Sequence, residues 1–228
     1  MDDVLKRLSY AIERGKIDRE SPHPPDMRNQ DGADELTCQA LGAGIAPSEI
    51  LSNGLVPGMQ AIGEKFARNE VFIPDILLSA RAMTKATEHL KPYFQSGDIK
   101  LKGTFIVGTV QGDLHDIGKK IVSMVIEGGG WKVIDLGVDV SAQKFADAVR
   151  ENPGCAVGLS ALLTTTMSNM QFITKKIKSE SPSTIVIIGG APITREFASR
   201  IGSDGYFADP QGALNFLNST NKIGLTHK

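Results

Sequence analysis

A chain of 228 residues with a formal net charge of −1, 41% hydrophobic and 22% charged residues has an ordinary globular make-up, long enough for one large or two small domains. Its near-neutral balance favours neither nucleic acid nor an anionic membrane surface as partner, no run of about 18 apolar residues is present to span a bilayer, and the opening MDDVLKRLSY lacks the apolar centre of a signal peptide. Cys38 and Cys155 stand far apart without metal-type spacing, which reads as two buried free thiols in a reducing cytoplasm.

Residues 2–96 contain no convincing strand. Val4, Leu5, Leu8, Ala11 and Ile12 recur at helical spacing and stop at Gly15. The polar, proline-bearing stretch 18–32 reads as a loop, and Ala33–Ala43 as a short helix ended by Gly44. Pro47 opens another helix, which Gly54 or Pro57 is expected to break before Met59, Ile62, Gly63 and Phe66 resume one apolar face. Pro74 opens the last helix, with Ile76, Leu77, Ala80, Met83, Ala86, Thr87 and Leu90 on one side. Helices with short connections predict a small bundle over 1–96.

After the stretch SGDIKLK, which places a linker at 97–102, the period changes. Short apolar runs at 103–110, 131–137, 155–162, 184–190 and 205–208 are rich in β-branched residues, and each precedes a helical stretch. Five β-α units in series over 103–228 predict a parallel sheet covered on both faces; its strand order is assumed to be the flavodoxin-like 2-1-3-4-5. The expected architecture is thus an N-terminal α-helical bundle followed by a flavodoxin-like α/β domain with a five-stranded parallel sheet.

Ligands of such sheets bind beyond the carboxyl ends of the strands, at the switch point of the topology. The first strand is followed there by Asp113-Leu-His115-Asp-Ile-Gly118, the third by Ser160-Ala-Leu162 and then Thr164, Thr165 and Thr166, and the fourth by Gly189-Gly190. Each piece alone has a bland reading. His115 would be a helix-cap histidine, Gly189-Gly190 a tight turn, and Lys119 and Lys120 solvated residues of a helical first turn.

Together they are far more specific. The order Asp-x-His-x-x-Gly, Ser-x-Leu, Gly-Gly, with 41 residues (119–159) and 26 residues (163–188) between the pieces, resembles the cobalamin-binding domains of the methionine synthase type. The first half resembles the helical cap that precedes this domain in methyl-transferring members, around GMQAIGEKFARNEVFIPDILLSARAM; residues 18–32 match least.

That resemblance implies a cobalamin or related corrinoid whose cobalt cycles between methyl-Co(III) and Co(I), with His115 as its axial metal ligand. Asp113 would be the carboxylate on the imidazole's other nitrogen, and Ser160 the hydroxyl behind it. The loop Gly112, Asp113, Leu114, His115, Asp116, Ile117 and Gly118, together with Ser160, Leu162, Thr164, Gly189 and Gly190, would hold the displaced nucleotide tail, and Ala208 and Asp209 would close its slot. Phe66, Ile73 and Ile76 match the apolar positions that cover the upper face of the corrin. The implied role is a stand-alone methyl carrier, not catalytic by itself, in methanol, methylamine or aromatic O-demethylase systems. It would work between a substrate-specific methyltransferase and an acceptor methyltransferase that loads tetrahydrofolate or coenzyme M, with a reductive activase as third partner, in the cytoplasm and without nucleic acid or membrane. A corrinoid-dependent mutase subunit would lack the helical cap, and a cobalamin-sensing regulator would add a DNA-binding helix-turn-helix. A receiver-like domain would need paired acids after the first strand and a lysine near the fifth.

Overall fold

The structure, a computed structural model, describes residues 2–224. Met1 and residues 225–228, which the expected boundaries at 1 and 228 include, lie outside the described residues. The chain divides into two compact units, Met1–Leu101 with Gly128–Gly130, and Lys102–Glu127 with Trp131–Lys228. Among the described residues, no helix is long and apolar enough to cross a membrane. Of the two thiols expected to be buried, the structure buries Cys155 but leaves Cys38 exposed.

In the helical unit, α1 (Asp2–Glu13) buries Leu5, Leu8, Ala11 and Ile12 at three- and four-residue spacing. The loop after it, which contains a short 3₁₀ turn at Pro25–Met27, is tied down by the fully buried Lys16, whose Nζ donates to the Ser21 carbonyl at 2.8 Å. Then come α2 (Ala33–Gly42), α3 (Pro47–Glu49), α4 (Val56–Ala67) and α5 (Ile73–Ser96). The break expected at Gly54 or Pro57 does not occur. A π-helical turn, Ile50–Leu55, joins α3 to α4, and Pro57 falls in the first turn of α4, where a missing N–H is no loss. α5 packs on α1, α2 and α4 through a buried stripe of Ile76, Ala80, Met83, Ala86 and Leu90. Ser79 on that face donates to the Glu13 carbonyl at 3.0 Å.

The second unit runs β1 (Thr104–Thr109), α6 (Ile117–Gly128), β2 (Lys132–Asp135), α7 (Ala142–Glu151), β3 (Ala156–Ser160), α8 (Ser168–Glu180), β4 (Ile185–Gly189), α9 (Arg195–Ile201), β5 (Gly205–Tyr206) and α10 (Pro210–Gly224). All four pairings are parallel, as the β-α alternation predicts, and the order is β2-β1-β3-β4-β5, the flavodoxin-like order assumed for it. The strands are shorter than the apolar runs. β5 keeps only Gly205–Tyr206 because the chain then turns toward α10, where the Asp209 carboxylate accepts the Gly212 N–H at 2.8 Å. On one face of the sheet, Ile106, Val157, Leu159, Val186 and Ile188 pack against Phe145 of α7, Met170 and Ile173 of α8, and Phe197 of α9. The register places Thr109, Ser160 and Gly189 in one row across β1, β3 and β4. The three loops that follow them therefore leave the same edge of the sheet.

Candidate cofactor site

The turn between β1 and α6 reverses the usual relation between a polar residue and water. Asp113 is fully buried, while the imidazole two residues on is 51% exposed. Burial of a carboxylate is costly unless its oxygens are satisfied, and here they are saturated. Oδ1 accepts the His115 main-chain N–H at 3.1 Å and the ring Nδ1–H at 2.8 Å. Oδ2 accepts the Thr166 hydroxyl at 2.7 Å and the N–H groups of Leu162 and Leu163 at 2.8 and 3.3 Å. Burial pushes the Asp113 carboxyl up, but the hydrogen bonds from Thr166, His115 and Leu162 outweigh it and hold the group well below the usual carboxylate range. An ionised acceptor on Nδ1 fixes the imidazole as the Nδ1–H tautomer, with the Nε2 lone pair left outward. Nε2 has no protein partner among the described residues.

The hydroxyl behind Asp113 is Thr166, not Ser160, and this corrects the reading from sequence. Ser160 is the last residue of β3, where its carbonyl accepts the Val110 N–H at 3.0 Å, and it is one of the residues that line the cleft beside the imidazole. Thr166 reaches Asp113 because the loop after β3 turns back on itself, the Thr166 N–H donating to the Leu163 carbonyl at 3.2 Å. The sequence carried a weak signal of this in the run Thr164–Thr166, but Thr164 is exposed and only Thr166 is buried.

A cleft of about 420 Å³ opens beside the imidazole, lined by Leu114, His115, Asp116, Ile117, Gly118, Ser160, Ala161, Leu162, Gly190 and Ala191. Gly190, at φ +133°, is obligatory: a Cβ there would stand 1.8 Å from the Ala161 carbonyl oxygen. Gly118 contributes space, since a Cβ on it would meet nothing within 4 Å. Of the remaining expected residues, Thr164, Gly189, Ala208 and Asp209 do not line this cleft. Gly112 belongs to the turn, and Asp209 caps α10. In the helical unit, Phe66 is half-buried and Ile73 is 40% exposed, but Ile76 is fully buried. Ile76 is therefore a packing residue of α5 and not part of an apolar covering surface. Exposed instead, and missed from sequence, are Phe72 at 70% and Leu77 at 37%.

Among the described residues, no group of three or more His, Cys, Asp or Glu is placed to hold a metal ion. A metal taken by His115 Nε2 must therefore bring its other ligands with it, as the cobalt of a corrin ring does. The surroundings suit such a planar apolar body: Leu114, Ile117, Leu162 and Leu163 are 72, 63, 43 and 43% exposed around the imidazole. The cleft beside them would take the nucleotide tail. The residues present fit the group.

Residues 103–215 match the B12 binding domain family, and residues 28–91 match a second family of the same description. Over 196 residues the chain is 37% identical to trimethylamine corrinoid protein 2 of Methanosarcina mazei, covering 84% of this chain and 90% of that one. A cobalamin-binding protein from Desulfitobacterium hafniense DCB-2 superimposes with a TM-score of 0.74 at 28% identity, covering 94% of this chain and 97% of that chain. The methanol:cobalamin methyltransferase complex MtaBC from Methanosarcina barkeri does so with a TM-score of 0.81 at 26% identity, over 97% of this chain and 80% of that chain. With both units matched to B12 binding domains and a relative aligned over most of its length, the chain belongs to the family of B12-binding corrinoid proteins, and its cofactor is a corrinoid.

Proposed function

We propose that this chain is a methyl carrier: it holds a corrinoid through His115 and passes a methyl group from a substrate-specific methyltransferase to an acceptor methyltransferase, which loads tetrahydrofolate or coenzyme M. The observation that carries this reading is the saturated, buried Asp113 aiming an otherwise unpartnered, exposed imidazole out of the sheet edge. When bound, the corrinoid supplies a cobalt centre able to accept and release a methyl group. His115 would hold the group through Nε2, and Asp113 keeps its ring in one tautomer. Thr166 and the N–H groups of Leu162 and Leu163 keep Asp113 ionised and fixed. Ser160, Gly118 and Gly190 leave the slot for the nucleotide tail. On the helical unit, Phe72, Ile73 and Leu77, not the buried Ile76, are the exposed apolar residues that would be free to shield a bound group. A reductive activase would restore the carrier after adventitious oxidation.

For the methyl donor, the relative named for trimethylamine favours a methylamine over the aromatic methyl ethers, and the likeness to a methanol complex at lower identity keeps methanol as the next candidate. The corrinoid-loaded chain, mixed in turn with methyltransferases for trimethylamine, methanol and an aromatic methyl ether, is expected to gain a methyl group with the amine system, read from its visible spectrum. The chain alone is expected to turn over none of the three substrates. Steady demethylation by the isolated chain would overturn the carrier reading.

A further inference from the structure

The charged residue least expected inside the α/β unit is Lys119. Expected from sequence as a solvated residue, it is 2% exposed in the first turn of α6, four residues after His115. Its ammonium pairs with Oδ2 of Asp135, at the end of β2. A lysine is almost never buried unless paired, and two apolar side chains would pack such a position as well or better. What an ion pair adds is register, and the atoms it registers lead back to His115. Asp135 Oδ1 accepts the Gly137 N–H at 2.8 Å. The Gly137 carbonyl accepts the N–H of Thr109 at 3.0 Å, and the hydroxyl of the fully buried Thr109 donates to the His115 carbonyl at 2.8 Å. The same β2–α7 loop also grips the residues before the histidine: Asp139, held at φ +54°, accepts the Gly112 N–H at 2.7 Å and donates its own N–H to the Asp113 carbonyl at 3.0 Å.

We propose that Lys119, Asp135 and Thr109 are positioning residues that preset His115 for metal ligation, the ion pair locking the β2–α7 loop and Thr109 transmitting that lock to the His115 main chain. This rests on the reading of His115 as the cobalt ligand. Asp113 fixes how the ring is protonated, and this second circuit fixes where the ring stands.

The test uses the full chain, without corrinoid and loaded with cobalamin. Thr109→Val removes the hydroxyl at constant volume and Thr109→Ser retains it, while Lys119→Met and Asp135→Asn each break the ion pair. In the Co(II) form of each, nitrogen-15 labelling of histidine reports by electron paramagnetic resonance what fraction carries a histidine-derived axial nitrogen. Outer-shell changes at metal sites lower affinity or activity by about 10–100-fold, and Thr109→Val and Lys119→Met are expected to bind cobalamin about tenfold more weakly and to lose part of the histidine-derived coupling. Thr109→Ser is expected to keep both. Lys119→Met combined with Asp135→Asn is expected to be no worse than Lys119→Met alone, because the two residues act as one unit. Should Lys119→Met not fold, Thr109→Val against Thr109→Ser decides the matter by itself. Variants that melt earlier yet keep wild-type affinity and coupling would overturn the inference and leave the ligand assignment standing. A wild-type protein that binds cobalamin without any histidine-derived coupling would overturn the assignment and the inference with it.

Discussion

The helical unit and the α/β unit both bury polar side chains, but they use them differently. In the helical unit each one satisfies a main-chain carbonyl: Lys16 donates to that of Ser21, Thr37 to that of Ala33, and Ser79 to that of Glu13 on another helix. In the α/β unit three of them, Thr109, Asp113 and Thr166, converge on one histidine. Thr166 donates to Asp113, Asp113 accepts from His115, Thr109 donates to the His115 carbonyl, and Lys119 pairs with Asp135. The first pattern secures a fold. The second aims a side chain. Buried hydrogen bonds to main-chain groups, including those from the Leu162 and Leu163 N–H groups to Asp113, are explained by the unpaired groups they avoid; the bond they do not explain is the one from the ring of an exposed histidine to Asp113.

The contrast between the units is broken most visibly at Ile76, a packing residue and not a covering one. Ile76→Ala in the helical unit is expected to cost about 2–5 kcal/mol of stability, as large-to-small changes in cores do. Thermal unfolding measures it, and a loss below about 0.5 kcal/mol, the range of surface substitutions, would return Ile76 to the covering surface. Phe72→Ala, four residues away and 70% exposed, is expected to stay within about 0.5 kcal/mol. Its effect should appear instead as faster oxidation of the reduced, loaded protein in air.

A smaller effect sharpens the other side. Thr166→Val removes one hydrogen bond to a buried carboxylate, a loss of about 1.5–3 kcal/mol. Thr166→Ser should recover most of that stability, and Thr164→Val, on the exposed neighbour, should change it by no more than about 0.5 kcal/mol. Equal effects at 164 and 166 would remove Thr166 from the Asp113 network.

The sequence was most legible where chemistry is packed into a short span. Asp113, His115 and Gly118 lie within six residues, and the β-α alternation implied a parallel sheet, in which the loops carrying Ser160 and Gly190 leave the same edge as His115. Thr166 was missed because whether a loop threonine points inward depends on the turn it sits in, here closed by the Leu163 carbonyl, and no periodicity encodes that. Lys119 was missed for a different reason. It stands seven residues before the fully buried Ile126 of α6, so helical spacing put it on an inner face, but charge type argued for solvent and its partner Asp135 is supplied by another strand. Ile76 was misassigned because Phe72, Ile73, Ile76 and Leu77 share one broad apolar face at the start of α5, and only packing separates the buried one from the exposed three. The π-helical turn before α4 likewise arises from continuity with the helices around it, which local helix-breaking residues do not reveal.

The central claim is that this protein supplies the lower ligand of its corrinoid through His115, and nitrogen-15 labelling of histidine in the Co(II) form tests it directly. The labelled wild-type protein should show altered splitting from one strongly coupled axial nitrogen, and His115→Ala should lose that dependence while the slot around Ser160 and Gly190 still retains corrinoid. No substitute ligand is expected: His23 lies in the loop of the helical unit, His89 is held by Asp34 at 2.6 Å, and His227 lies outside the described residues. Splitting that ignores the label in the wild type, or that persists unchanged in His115→Ala, would contradict the account.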